Sequence, residues 1–249
     1  MDILKFEQAC ETVRKGRRLQ KGIGTISETS VHAVLKNYYG SYQDQQEQPI
    51  GRYIADIVNE DGIIEIQTGR FKALKNKLAA FLPVARVTVV YPVIRNRQII
   101  CLDKEGNVKS RRRSPKKGRA CDIFNELWGI AEFLCDPNFS LKIVIIDCEE
   151  TRSPQKSKIS GRKRKYTLED RMPVRLVEEI EINSLCDWSK LLPCMNEPYF
   201  TSADAAETGN TDSKTASAAL SALYKAGILE RNGKKGNSYI YSFSSEVTM

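Results

Sequence analysis

The chain has 249 residues and a mass of 28.2 kDa, which suits one large domain or a main domain with a small satellite. With 41% hydrophobic and 28% charged residues it is not a wholly disordered chain, and no run approaches the roughly 20 apolar residues of a membrane helix. The net charge of +8 is concentrated in two runs, KSRRRSPKKGR at 109–119 and RSPQKSKISGRKRK at 152–165, each with seven basic residues and no acid, so the rest of the chain is mildly acidic.

In chain order, Ser27-Glu28-Thr29-Ser30 followed by VHAVLKNYY predicts a capped helix over 28–39. The polar QDQQEQ that follows suits a short edge strand. Residues 52–58 (RYIADIV) and 63–68 (IIEIQT) read as strands joined by NEDG, where Asp61-Gly62 is a hairpin turn signal. Phe71, Leu74, Leu78 and Phe81 stand at helical spacing and predict an amphipathic helix over 70–82, ended by Pro83. Residues 86–94 (RVTVVYPVI) form a buried strand, and 97–108 a hairpin turning at 104–107. A helix over 122–135 follows, with Trp128 and Phe133 in the core, then a second buried strand over 141–147 (LKIVIID). After a mixed region over 166–192, residues 202–208 and 212–225 read as helices, and ILER and SYIYSF as strands linked by NGKKGN. The order predicts an α/β protein with a mixed sheet flanked by helices. Its last fifty residues resemble a winged helix-turn-helix domain, giving domains at 1–195 and 196–249.

Seven cysteines, an odd number with no CxxC pair, most of them in apolar runs, point to buried free thiols in a reducing compartment and a cytoplasmic protein. A single histidine, His32, leaves little for Cys/His zinc sites. It lies one turn after Glu28 and reads first as a residue at the edge of the core. Tyr38 and Tyr39 also read as packing residues.

Both basic runs contain Ser, Pro and Gly and are predicted to be loops. One such run is as readily a solvated loop as a binding site. Two favour a polyanion partner, with Arg111, Arg112, Arg113, Lys116, Lys117, Arg162, Lys163, Arg164 and Lys165 as phosphate contacts. The stretch 14–21 (RKGRRLQK) adds to them. In the C-terminal segment, which has a net charge of −1, Lys234 and Lys235 are the basic spot of the hairpin.

The chemistry concentrates on the first hairpin. If Val58 and Ile63 flank its turn, Asp56 faces Glu65 across the strands, while a slip of two would put Asp56 opposite Gln67. Glu65 and Gln67 share a face in either register. Two opposed carboxylates among Ile54, Ile57, Val58 and Ile63 repel unless a proton or cation sits between them. A hard divalent cation with oxygen ligands resolves that conflict. The plainer alternative is a hairpin with one wet face.

The order Glu28 on a helix, Asp56 on one strand, Glu65-Ile66-Gln67 on the next, then a helix and an apolar strand, resembles the PD-(D/E)xK superfamily of restriction-endonuclease-like nucleases across about residues 25–150. The resemblance implies a metal-dependent DNA endonuclease in which Asp56, Glu65 and the carbonyl of Ile66 hold Mg²⁺ or Mn²⁺. Gln67 would orient the attacking water, and Glu28 would position a second ion or a water. Gln67 stands where most members carry Lys, with Lys72 or Lys75 on the next helix as substitutes. The alternative is a catalytically inactive nuclease-fold protein that binds DNA or regulates a partner. No membrane partner is expected, and a homodimer through the C-terminal segment stays open.

Overall fold

The computed structural model describes residues 1–19, 29–41, 45–154 and 166–244. Among the described residues the chain is a mixed α/β fold whose main sheet has seven strands, 45–50, 53–59, 62–66, 87–102, 139–154 and 166–182 in that spatial order, with 108–113 paired to 87–102. Two helices come first, α1 (Ile3–Leu19) and α2 (Ser30–Tyr39). The strands β1 (Gln45–Ile50), β2 (Tyr53–Asn59) and β3 (Gly62–Ile66) lead through α3 (Lys75–Phe81) to β4 (Val87–Leu102) and β5 (Val108–Arg113). After α4 (Phe124–Leu127) come the long strands β6 (Phe139–Pro154) and β7 (Tyr166–Ile182). Helices α5 (Ser202–Thr208) and α6 (Ser213–Lys225) then precede a separate two-stranded sheet of β8 (Leu229–Lys235) and β9 (Ser238–Phe243).

The fold divides into two compact units. One comprises residues 1–41, 94–118 and 145–178, and the other 42–93, 119–144 and 179–249. In the first, Phe6 on α1 packs edge-on against Tyr38 on α2 at 5.4 Å, and Val13, Val34 and Leu35 are buried with them. Arg14 and Arg17 on α1 pair with Glu149 at 3.8 Å and Asp170 at 3.3 Å, so part of the 14–21 stretch is engaged within the fold. Thr29 caps α2 by accepting from the backbone N–H of His32.

In the second unit β1 and β2 are antiparallel, as are β2 and β3, while β3 and β4 run parallel around α3. Phe71, Leu74, Leu78 and Phe81 are all buried, as their spacing predicts. The tight turn after β2 requires Gly62, at φ +122°, because a Cβ there would lie 2.3 Å from the carbonyl oxygen of Arg86.

Several expectations are corrected. The buried strand predicted to end at 94 continues as the 16 residues of β4, because Ile99, Ile100 and Cys101 are buried on both faces of the sheet. The first basic run is no loop at its start: residues 108–113 pair with β4, with Arg111 opposite Ile100 and Arg113 opposite Gln98. The mixed region beginning at 166 is β7, a 17-residue strand at the end of the sheet order, where Pro173 and charged residues are tolerated. The helix predicted over 122–135 is short turns around α4, with Ile130 non-helical and Trp128 53% exposed rather than in the core. Gly129 lets residues 128–133 approach the turn at 71–73, since a Cβ there would lie 2.9 Å from the backbone nitrogen of Lys72. The hairpin tip predicted at 232–237 is mostly strand, and only Gly236 and Asn237 turn.

Candidate functional site

The β2–β3 hairpin pairs Val58 with Ile63 and Ile57 with Ile64, so the register continues to Asp56 opposite Glu65, not opposite Gln67. At that position the side chains take over from the ladder. The backbone N–H of Asp56 donates to Glu65 Oε1 at 3.1 Å, and that of Ile66 donates to Asp56 Oδ2 at 2.8 Å. Each acid is therefore anchored to the opposite strand, which fixes both carboxylates with little rotational freedom left to lose on binding.

Glu65 is only 2% exposed, and Asp56 is half-buried beside it. Burial first, and the neighbouring Asp56 second, push the Glu65 carboxyl above the ordinary carboxylate range, while Lys77 pulls it back down. The ammonium of Lys77, on α3, donates to Glu65 Oε2 at 2.7 Å. Among the described residues, two acids and one ammonium meet here.

Lys77, not Lys72 or Lys75, is thus the helix lysine that reaches the acids. Lys75 pairs instead with Glu132 at 2.7 Å, and Lys72 is exposed. A signal for this was present in the spacing. Lys77 stands three residues after Leu74 and four before Phe81, on the face that the buried stripe turns toward the sheet.

Gln67 follows the last residue of β3. Its backbone N–H donates to the Val90 carbonyl at 2.9 Å, and its side-chain amide donates to the Gly69 carbonyl. The same turn brings Glu126 to the backbone N–H of Phe71 at 3.3 Å. Tyr91, on β4 and edge-on to Phe71, has its phenol pushed up to about 12 by burial and by Glu126 and Asp122. Glu28, Arg162, Lys163, Arg164 and Lys165 lie outside the described residues. His32 is half-buried on α2.

The family described as "Domain of unknown function (DUF8091)" matches residues 29–183, more than half of the chain. The chain belongs to the DUF8091 family. An "Uncharacterized protein" of Treponema pallidum (strain Nichols) is 30% identical over 220 residues, covering 88% of this chain and 86% of that protein. No solved structure matches. The DUF8091 segment holds Asp56, Glu65, Gln67 and Lys77, and it starts one residue after Glu28.

The acids and the Ile66 carbonyl offer oxygen donors only, the donor type of a hard divalent cation rather than a soft one. Among the described residues no group of three or more His, Cys, Asp or Glu side chains gathers to hold a metal ion; Asp56, Glu65 and the Ile66 carbonyl are the oxygen donors that could be offered to one. Of the residues expected to contact phosphate, Arg111, Arg112 and Arg113 are exposed on β5, and Lys116 and Lys117 are exposed beyond it. Lys234 and Lys235 are exposed on β8, with Lys234 4.8 Å from the centre of the Tyr239 ring. Arg231 is sandwiched instead, 4.2 Å from Tyr224 and 3.9 Å from Tyr239. Among the described residues no helix is long and apolar enough to cross a membrane.

Proposed function

We propose that the chain is a metal-dependent DNA nuclease of the PD-(D/E)xK kind, with a restriction-endonuclease-like core over 1–195 and a winged-helix segment over 196–249. The observation that carries the reading is the acid–acid–lysine constellation, Asp56 opposed to Glu65 with Lys77 hydrogen-bonded to Glu65. Three side chains from two strands and a helix converge there, although sequence alone pairs only the two acids.

In this reading Asp56, Glu65 and the Ile66 carbonyl would hold the ion, which when bound would supply an activated water and stabilise charge developing on phosphorus. The backbone amides of Asp56 and Ile66 anchor the two carboxylates. Lys77 supplies the positive charge that a lysine two residues after Glu65 would bring, from the helix instead of the strand. Gln67 shapes the turn that follows and orients water only if its amide leaves Gly69. Arg111, Arg112, Arg113, Lys116 and Lys117 hold the phosphate backbone without reading bases. Lys234 and Lys235 add contacts from the wing. The seven free cysteines, five of them buried, support a cytoplasmic, reducing setting.

A second reading, a nuclease fold without cleavage that binds DNA or regulates a partner, is favoured by one observation: the Gln67 amide is committed to Gly69. Cleavage of supercoiled, linear, single-stranded and branched DNA with Mg²⁺, Mn²⁺ or EDTA separates the two. Metal-dependent cleavage lost in Asp56→Asn and Lys77→Met supports the nuclease. No cleavage of any substrate by wild type or by Gln67→Lys overturns it, and retained DNA binding then supports the silent reading.

A further inference from the structure

Glu150, on β6, is 1% exposed and stands among three arginines from three strands. Arg171 on β7 donates to Glu150 Oε2 at 2.8 Å, Arg152 on β6 donates to Oε1 through both Nε and Nη2, and Arg97 on β4 lies 3.7 Å from Oε2. Among the described residues no second carboxylate is paired with any of the three. One carboxylate therefore holds three guanidiniums and leaves a local surplus of two positive charges.

The surplus is costly where it stands. The side chain of Arg97 is 20% exposed, and its Nε is buried with no hydrogen-bond partner among the described residues. The side chains of Arg152 and Arg171 are 33% and 39% exposed, so solvent reaches the cluster from one side. Like charges kept together with a donor unsatisfied are the arrangement of a site that completes itself with an anion. Each guanidinium is a planar fork of five N–H donors, and Glu150 occupies only some of them. A tetrahedral phosphate, with several acceptor oxygens, matches donors that converge from different strands.

We propose that Arg97, Arg152 and Arg171, held in place by Glu150, form a phosphate-binding site. The inference deepens the nucleic-acid reading above, and rests on it only for the source of the phosphate, a DNA backbone as opposed to a free phosphate. Glu150 is a positioning residue: it gathers the three forks and rigidifies them before the ligand arrives.

The test uses the full chain. Thermal unfolding is followed against orthophosphate, with chloride making up the ionic strength, and a DNA duplex is titrated in parallel without added metal. Orthophosphate should raise the melting temperature of wild type above the chloride control. Arg97→Gln and Arg152→Gln should weaken phosphate binding about tenfold or more, the loss of a charge-assisted hydrogen bond. Both leave Glu150 with Arg171. Glu150→Gln, which keeps an acceptor but removes the negative charge, should bind phosphate more tightly than wild type; a purely structural ion cluster gives no such gain. Loss of duplex affinity in the arginine variants assigns the phosphate to nucleic acid, and unchanged duplex affinity with lost orthophosphate binding assigns it to a free ligand. No response of wild type to either probe, or equal responses in wild type and the arginine variants, overturns the site. That failure would leave the nuclease reading standing, because no variant touches Asp56, Glu65 or Lys77 and cleavage is not the readout.

Discussion

Two buried glutamates in this chain are surrounded in opposite ways. Among the described residues, Glu65 shares its hairpin with a second acid and pairs with one lysine, whereas Glu150 pairs with three arginines. Burial raises both carboxyls. At Glu65 the neighbouring Asp56 adds to the rise and Lys77 opposes it without cancelling it, so the group stays high. At Glu150 the hydrogen bonds from Arg171 and Arg152 outweigh burial, and the carboxyl is held below its ordinary value. Depth of burial does not decide the protonation of either group; the sign of the neighbours does. Among the described residues Glu65 meets an acid and a lysine and Glu150 meets three arginines, and on that difference a divalent metal is proposed for one and a phosphate for the other.

The comparison can be broken most forcefully at Glu150. Glu150→Leu leaves three guanidiniums without their shared anion, and should destabilise the protein by about 3–5 kcal/mol in urea unfolding. A loss under about 1 kcal/mol would mean that the arginines disperse into solvent and that the carboxylate does not gather them. Because the Glu150 carboxyl is depressed in the folded state, its contribution is present above the unfolded carboxylate pKa and disappears as pH falls through the folded value.

Lys77→Met tests the other site and is expected to cost less, about 2 kcal/mol near pH 8, because the lysine is partly exposed. The pH dependence of the Glu65 carboxyl's own contribution has the sign opposite to that of Glu150. A raised folded pKa gives stability that is complete below the unfolded value and is lost as pH rises through the folded one. Lys77 offsets only the ionised carboxylate, so the deficit of Lys77→Met should shrink toward zero below about pH 4, where Glu65 is protonated in both states. Adding Glu65→Gln should restore most of the loss at pH 8. An equal deficit at pH 4 and pH 8 would assign the effect to lost packing of the lysine stem and not to charge.

The smallest effect on stability is expected on β5. Replacing Arg111, Arg112 and Arg113 with Ala should change folding free energy by under about 0.5 kcal/mol, since all three are exposed. DNA affinity should nevertheless fall for every sequence alike, and the log–log salt slope should flatten by about 0.9 per lost phosphate contact. An unchanged slope would leave the strand an ordinary charged sheet edge.

How much was legible in the sequence follows from the range over which each signal acts. The period of two along 52–58 and 63–68, with Asp61-Gly62 between them, determined the hairpin register and hence the facing of Asp56 and Glu65. The apolar spacing of Phe71, Leu74, Leu78 and Phe81 determined the buried face of the segment containing α3, and the same spacing contained Lys77. The boundaries of α5 and the capping of α6 by Asp212 were equally local. Nothing local marked β7, because a strand at the end of a sheet can carry charges and a proline, and its pattern resembles that of a loop. Nor did the basic residues of 109–119 announce a strand, since their pairing comes from β4 and not from their own propensity. Trp128 misled for a related reason: helical spacing assigns a core face only where a helix forms, and Gly129 and Ile130 interrupt this one. Sequence by itself determined the α/β class, the acidic hairpin and the charge imbalance of the chain. Tertiary structure alone decided which cation answers Glu65 and that Arg97, Arg152 and Arg171, up to 74 positions apart, share one carboxylate, because charge pairing depends on distances in space that no spacing along the chain encodes.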